Sequence, residues 1–100
     1  MTDAFDHDDP VVVPIGPELD LHSFQPREIV SVVEEFVRGA AEAGLTRVRI
    51  VHGRGRGVQR GMVQAALERH PLVRAFWDDP GSQLGATIAE LRSGKSEFRT

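Results

Sequence analysis

Apolar positions recur along this chain with two different periods, and the change of period predicts alternating strands and helices. Residues 19–22 alternate between apolar and polar, which predicts a strand that carries Asp20 and His22 on one shared face. From Pro26 to about Ala43 the apolar residues recur at steps of three and four, which is typical of one face of an amphipathic helix: Ile29, Val30, Val33, Phe36, Val37, Ala40 and Ala41.

The remaining pattern continues the alternation. Residues 47–52 predict a second strand, residues 57 or 58 to 69 a second helix that ends before Pro71, and residues 73–77 and 86–91 two further strands joined by a turn at 79–82. The order β-α-β-α-β-β predicts an α/β fold, a two-layer sandwich in which two helices cover a mixed four-stranded sheet. We expect an acidic tail and extended arm over residues 1–17, one domain over 18–92 and a frayed carboxyl-terminal tail over 93–100.

Composition narrows the class of protein. One hundred residues suffice for a single compact domain, and no window approaches the ~18 to 20 apolar residues of a membrane helix. The absence of cysteine removes disulfide frameworks, thiolate nucleophiles and cysteine zinc sites. Because acidic residues occupy the amino terminus where a secretory signal would be basic and apolar, we expect a cytoplasmic protein with no membrane partner.

Charge is distributed unevenly. The net charge is −3, yet the first twenty residues hold six acids and neither lysine nor arginine. The window from Ala43 to Leu67 contains no acid and five arginines: Arg47, Arg49, Arg54, Arg56 and Arg60. This window predicts a surface for a polyanion.

Polar groups that can support chemistry follow the first two predicted strands. Asp20 and His22 end the first strand, and the glycine-rich run from His52 to Gly57 ends the second. Because ligands bind at the carboxyl ends of parallel strands, the two groups are expected to meet if these strands are neighbours. Imidazoles can act as general acid and base, and glycines let backbone amides approach phosphate oxygens.

Structural roles remain open for the same residues. Asp20 can brace a loop, His22 can bond to backbone, and the pair Phe76 and Trp77 is better explained by packing than by base stacking.

Two motif matches fail. The glycines at 53, 55, 57 and 61 do not complete G-x-G-x-x-G, and the relaxed phosphate-loop pattern over 89–96 leaves too few residues for the helix that it requires.

The ordered segments L-D-L-H (19–22), V-R-I-V-H-G-R-G (48–55), H-P-L-V-R-A-F (70–76) and G-A-T-I-A-E-L (85–91) resemble the Smr (small MutS-related) domain family. The resemblance implies a fold similar to the carboxyl-terminal domain of bacterial translation initiation factor three, and the nucleic-acid endonuclease activity of some members. It assigns the family's L-D-x-H motif to Asp20 and His22, and its [TH]-G-x-G motif to the run from His52 to Gly55. Ser23 stands where the family commonly has glycine. Because no mismatch-sensing or ATPase region accompanies the domain, a stand-alone member is expected.

These observations predict an endonuclease that cuts DNA or structured RNA. Its expected catalytic residues are Asp20, His22 and His52, with Asp20 either orienting His22 or holding Mg²⁺ or Mn²⁺, and no organic cofactor is expected. The expected phosphate-binding residues are Gly53, Arg54, Gly55, Arg56, Gly57 and Arg60. The alternatives are a module that binds nucleic acid without cutting it and a protein-interaction domain. The oligomeric state stays open.

Overall fold

The fold was analysed on a computed structural model, which describes residues 13–55 and 57–92. The predictions for the acidic tail before residue 13, for Arg56 and for the tail after residue 92 lie outside the described residues. The helices and strands are β1 (Glu18–Asp20), α1 (Ile29–Glu42), β2 (Arg47–Val51), α2 (Val58–Arg69), β3 (Val73–Asp78) and β4 (Ala86–Leu91). Short 3-10 turns cover Leu21–Ser23, Pro26–Glu28 and Pro80–Ser82.

The four strands form one mixed sheet in the order β1-β2-β4-β3. β1 and β2 are parallel neighbours, with Asp20 in register with Val51. β4 lies between β2 and β3 and is antiparallel to both. The predicted α/β sandwich with two helices and a mixed four-stranded sheet is therefore confirmed, and the two parallel-strand ends are adjacent.

One face of the sheet packs on the helices. Leu19, Ile50 and Ala89 point to this face and are at most 1% exposed. They form a continuous core with the apolar side of α1, where Phe36 is fully buried. Burial of each leucine, isoleucine or phenylalanine in this core stabilises the folded state by about 1.5–3 kcal/mol. The opposite face of the sheet carries residues such as Asp20 and Arg49, because side chains alternate along a strand.

The start and end of α1 follow from local chemistry. Gln25 and Glu28 form a capping box ahead of the helix, with the Gln25 backbone N–H donating to the Glu28 carboxylate over 2.8 Å. Gly44, with φ of +89°, follows the helix in the left-handed conformation. The predicted helix from Pro26 to about Ala43 begins three residues before α1 and ends one residue after it, because residues 26–28 form a 3-10 turn.

The predicted strand over residues 19–22 is wrong at its carboxyl end. β1 stops at Asp20, and His22 lies in the 3-10 turn Leu21–Ser23. The physical reason is that the Asp20 carboxylate accepts the His22 backbone N–H over 3.0 Å, which offers this amide a local partner in place of a ladder bond. Asp20 and His22 therefore meet through a turn and not through strand alternation.

The segment before β1 contains no strand within residues 13–17. Val13 packs against the core, and the Pro17 carbonyl accepts the Arg49 N–H over 2.8 Å. Among the described residues, neither helix combines the length and the apolar character that crossing a membrane would require.

Candidate functional site

A glycine-rich turn joins β2 to α2 and forms one wall of an open cavity. Three glycines in this turn, Gly53, Gly55 and Gly57, have φ of +82°, +28° and +84°. A side chain would strain the backbone in that region, so the turn requires glycine at these positions. The cavity has a volume of about 340 Å³ and is lined by His52, Gly53, Arg54, Gly55, Gly57, Val58 and Gln59.

The amino terminus of α2 opens into the same cavity. Gly57 occupies the N-cap position and no side chain caps this helix in the described part of the chain. The first backbone amides of a helix have no partner within the helix, and the helix dipole is positive at this end. Together with the neighbouring turn, these amides favour an anion such as a phosphate group.

Gly85, immediately before β4, anchors the turn. Its carbonyl accepts the backbone N–H of His52 over 3.0 Å and that of Gly53 over 2.9 Å. A Cβ at residue 85 would lie 3.1 Å from the Ser82 carbonyl oxygen and 3.3 Å from Arg54 Cγ. Gly85 belongs to the segment that carries the family resemblance, but the sequence offered no signal for its contact with the turn, because the two are 32 residues apart.

His52 is almost fully buried, with 6% exposure. Its Nδ1 lies 3.1 Å from the Gly53 carbonyl oxygen, and its Nε2 lies 2.8 Å from the Thr87 hydroxyl. Burial lowers the pKa of His52 below its ordinary value of 6.5, with the nearby Arg60 charge acting in the same direction. Thr87 is a hydrogen-bond partner of His52 that sequence reasoning missed, since an isolated threonine inside a strand has no distinguishing pattern.

The arginines expected to bind phosphate differ in their present contacts. Arg60 donates from Nε and Nη2 to the two oxygens of Asp78 over 2.7 and 2.8 Å, and this pairing lowers the pKa of Asp78 and raises that of Arg60. Arg54 makes no ion pair within residues 13–55 and 57–92 and lies at the cavity. Arg54 is therefore better available to an incoming phosphate than Arg60 is.

Asp20 and His22 form an exposed pair beyond the end of β1. Asp20 Oδ1 lies 2.9 Å from His22 Nδ1 and accepts the His22 amide as well, with the side chains 54% and 80% exposed. Hydrogen bonding from the His22 amide, followed by its ring, lowers the pKa of Asp20. An imidazole held beside an ionised carboxylate and open to solvent can exchange protons with a bound substrate.

The Asp20–His22 pair and the glycine turn that begins at His52 follow neighbouring strands, but they do not line one cavity. Asp20 is in register with Val51, which immediately precedes His52. Asp20 lies on the sheet face opposite the helices, whereas the His52 ring turns to Thr87, which is in register with the buried Ile50. Among the described residues, the cavity is lined from His52 onward and neither Asp20 nor His22 contributes to it.

This fold and this pair of motifs define a small MutS-related domain. The sequence model of the Smr domain family matches residues 19–92, so the chain belongs to the Smr domain family.

Relatives and solved structures agree with this assignment. Proteins named endonuclease MutS2 are 39% identical over 80 residues in Halalkalibacterium halodurans and 38% identical over 77 residues in Caldicellulosiruptor saccharolyticus. These matches cover 78% and 74% of this chain but 10% of each relative, so the chain spans about a tenth of their length.

The crystal structure of the Smr domain of Thermus thermophilus MutS2 is 33% identical with a TM-score of 0.70, over 77% of this chain and 99% of that one. YdaL, a stand-alone small MutS-related protein from Escherichia coli, is 27% identical with a TM-score of 0.64, over 81% and 68%.

Proposed function

We propose that this Smr domain binds nucleic acid at the glycine turn and cleaves its phosphodiester backbone, with DNA and structured RNA as the substrate classes. The observation that carries the proposal is the cavity in which the left-handed glycines, Arg54 and the uncapped amino terminus of α2 converge. Backbone amides and a guanidinium group bind phosphate oxygens and stabilise the charge that develops on them during cleavage. The name endonuclease of the MutS2 relatives supports the same chemistry.

Proton transfer is assigned to the exposed pair. Asp20 orients the His22 ring through Nδ1, which leaves Nε2 to exchange a proton with the attacking or leaving oxygen. The backbone register of β1 and β2 supports this role, because it sets the pair beside the residue that leads into the glycine turn. Positioned proton transfer of this kind contributes about 10²–10⁴-fold to a rate.

A divalent cation is part of the proposal only at Asp20. No group of three or more histidine, aspartate or glutamate side chains suitable for a metal ion occurs in the described ranges 13–55 and 57–92. Mg²⁺ is often held by one or two carboxylates with substrate phosphates and water completing its shell, and the exposed Asp20 carboxylate fits that limited role. Such an ion would neutralise charge on the phosphate.

The test combines cleavage with a variant of the exposed pair. Purified protein is incubated with supercoiled plasmid and with structured RNA, with and without Mg²⁺ or Mn²⁺. We expect nicking or cleavage by the unchanged chain and its loss in the double variant Asp20→Ala/His22→Ala. Equal cleavage by both proteins would mean a contaminating nuclease and would refute the assignment.

A binding module without nuclease activity is the second candidate, and two observations favour it. His52 has both ring nitrogens engaged, so His22 is the imidazole left for proton transfer among the described residues near the two strand ends. Ser23 also replaces the glycine that commonly follows the family's L-D-x-H motif. If about four phosphates are neutralised, binding weakens roughly 10²-fold between about 50 and 200 mM salt. Salt-sensitive binding with no cleavage under any metal would select this candidate.

A further inference from the structure

A chain of hydrogen bonds runs from α2 through β3 and β4 to the glycine turn. Arg60 contacts Asp78, Gln64 contacts both Asp78 and Thr87, and Thr87 contacts His52. We call these five residues the relay. Each contact is between 2.7 and 3.0 Å long, and no buried side-chain nitrogen or oxygen in the described part of the chain lacks a partner.

The donor and acceptor chemistry gives the relay a direction. Arginine can only donate and an ionised carboxylate can only accept, so Asp78 accepts from Arg60 and obliges Gln64 to present its amide nitrogen. That nitrogen, Nε2, donates its two hydrogens to Asp78 Oδ1 and to the Thr87 oxygen, each over 3.0 Å. The Thr87 oxygen keeps a second acceptor position, so the direction of its 2.8 Å contact with His52 Nε2 is set by the proton on the other ring nitrogen.

The other ring nitrogen of His52, Nδ1, fixes the tautomer of the ring. The Gly53 carbonyl can only accept, so His52 Nδ1 carries the proton that it donates over 3.1 Å. A neutral imidazole has one protonated nitrogen, and His52 therefore has Nδ1–H and a bare Nε2 that accepts from Thr87. Both nitrogens are committed, and the ring is 6% exposed.

The consequence falls on the peptide groups of Gly53. Its N–H donates to the Gly85 carbonyl over 2.9 Å, and its C=O accepts from the His52 ring. The first residue of the turn is thus held from both sides before any ligand arrives. Because the Gly53 N–H is already used, the anion is left to the other amides of the turn, and a turn whose first residue is fixed presents those amides at a lower ordering cost.

We propose that the relay orients the glycine turn, with the other four residues acting through its last member, His52, and that His52 is a positioning residue and not a proton carrier. This rests on the proposed function only in so far as the ligand of the turn is nucleic acid. It also gives Arg60 a role other than direct phosphate binding, because its guanidinium donates to Asp78, and Asp78 in turn orients the Gln64 amide.

The first test reads the ring directly and needs no nucleic acid. Nitrogen-15 NMR of the histidine rings in the full chain at neutral pH is expected to show His52 protonated at Nδ1 and bare at Nε2. His70 is a built-in control, because its Nδ1 accepts the Leu72 N–H and its Nε2 donates to the Glu34 carbonyl, which is the opposite tautomer. A His52 ring that is doubly protonated, or protonated at Nε2 alone, overturns the relay.

The second test removes one hydroxyl. Thr87→Val keeps the side-chain shape but cannot donate to His52, whereas Thr87→Ser keeps the hydroxyl. We expect Thr87→Val to populate a second tautomer of His52 and to weaken binding of a fluorescein-labelled RNA hairpin or DNA duplex about tenfold, the equivalent of about 1.4 kcal/mol. Thr87→Ser is expected to retain the tautomer and most of the affinity, and amide spectra check that both variants fold.

The outcomes separate the two proposals. The expected tautomer without binding of either probe refutes nucleic acid as the ligand and leaves the relay as an ordering device for the turn. Binding by the unchanged chain together with an unaltered His52 ring and affinity in Thr87→Val refutes the relay and leaves the proposed function standing.

Discussion

His22 and His52 follow the ends of two adjacent parallel strands, yet their surroundings differ in every respect that governs histidine chemistry. The His22 side chain is 80% exposed and contacts Asp20, two residues away. His52 is 6% exposed and contacts Thr87, 35 residues away. A ring in solvent beside a carboxylate can exchange protons, whereas a buried ring whose two nitrogens are already hydrogen-bonded has neither one free for a substrate.

The comparison shows that two histidines placed alike in a sequence can have different exposure and different contacts. Their order in the chain places each of them at the carboxyl end of a strand. They differ in their tertiary surroundings. The His52 ring lies on the helix side of the sheet and contacts the Thr87 hydroxyl, whereas the His22 ring lies in solvent beside Asp20. We expect the difference to appear when the two rings are altered in turn.

The largest expected effect is on cleavage. His22→Ala should lower the cleavage rate about 10²-fold or more, because positioned proton transfer is lost, while binding of the probes and the melting temperature stay close to those of the unchanged chain. The measurement is plasmid nicking beside fluorescence anisotropy. His52→Gln is the contrasting variant, and a selective loss of catalysis there, with binding and stability intact, would reverse the roles assigned to the two rings.

The next largest effect is on stability and concerns Gly85, whose carbonyl holds the glycine turn next to the buried His52. In Gly85→Ala the new methyl group meets the Ser82 carbonyl oxygen at 3.1 Å, so we expect a loss of about 1–3 kcal/mol in the free energy of unfolding. Thermal unfolding measures it, since about 1 kcal/mol shifts the melting temperature of such a domain by roughly 4–8 °C.

Gly61→Ala is the matched control for Gly85→Ala. A Cβ at Gly61 meets nothing within 4 Å, and this glycine lies inside α2. Alanine should therefore raise stability there by about 0.5–1 kcal/mol. Equal effects of the two substitutions would contradict the role of Gly85.

A smaller effect is expected at the cavity rim. Arg54→Ala should reduce the slope of log affinity against log salt by about 0.9, the contribution of one phosphate contact. Arg38→Ala is the matched control, because Arg38 is an exposed arginine on α1 that pairs with Glu35 over 2.8 Å. An identical salt slope for Arg54→Ala and the unchanged chain would remove Arg54 from the interface.

The smallest effect concerns pH. Because burial lowers the pKa of His52 below 6.5, the unfolded chain takes up a proton at higher pH than the folded chain does. The stability linked to His52 is therefore fully present above pH 6.5 and declines as the pH falls from 6.5 toward the lowered pKa.

We expect the unchanged chain to lose up to about 1 kcal/mol more than His52→Gln between about pH 7.5 and pH 5.5, measured by urea unfolding. The difference between the two proteins cancels the other titrating groups. A slope that is the same in both would mean that the His52 ring is not held neutral by the fold.

The sequence predicts most of the fold because the relevant forces are local. The apolar spacing in α1, the helix-ending Gly44 and the strand pattern of β4 each act over a few neighbouring residues. The strand end at residue 22 was the exception. There the short Asp20 side chain competes with the sheet for the His22 amide, and alternation of apolar and polar residues cannot reveal that competition.

The sequence by itself determined the order of strands and helices, the glycines that the turn requires and the residue types at the two strand ends. Only the tertiary structure decided what each of these groups contacts. Thr87 and Gly85 reach the turn across β4, and Asp78 accepts two hydrogen bonds from the Arg60 guanidinium. Burial and long-range hydrogen bonds set the protonation and orientation of a side chain, and both depend on residues that the linear order keeps far apart.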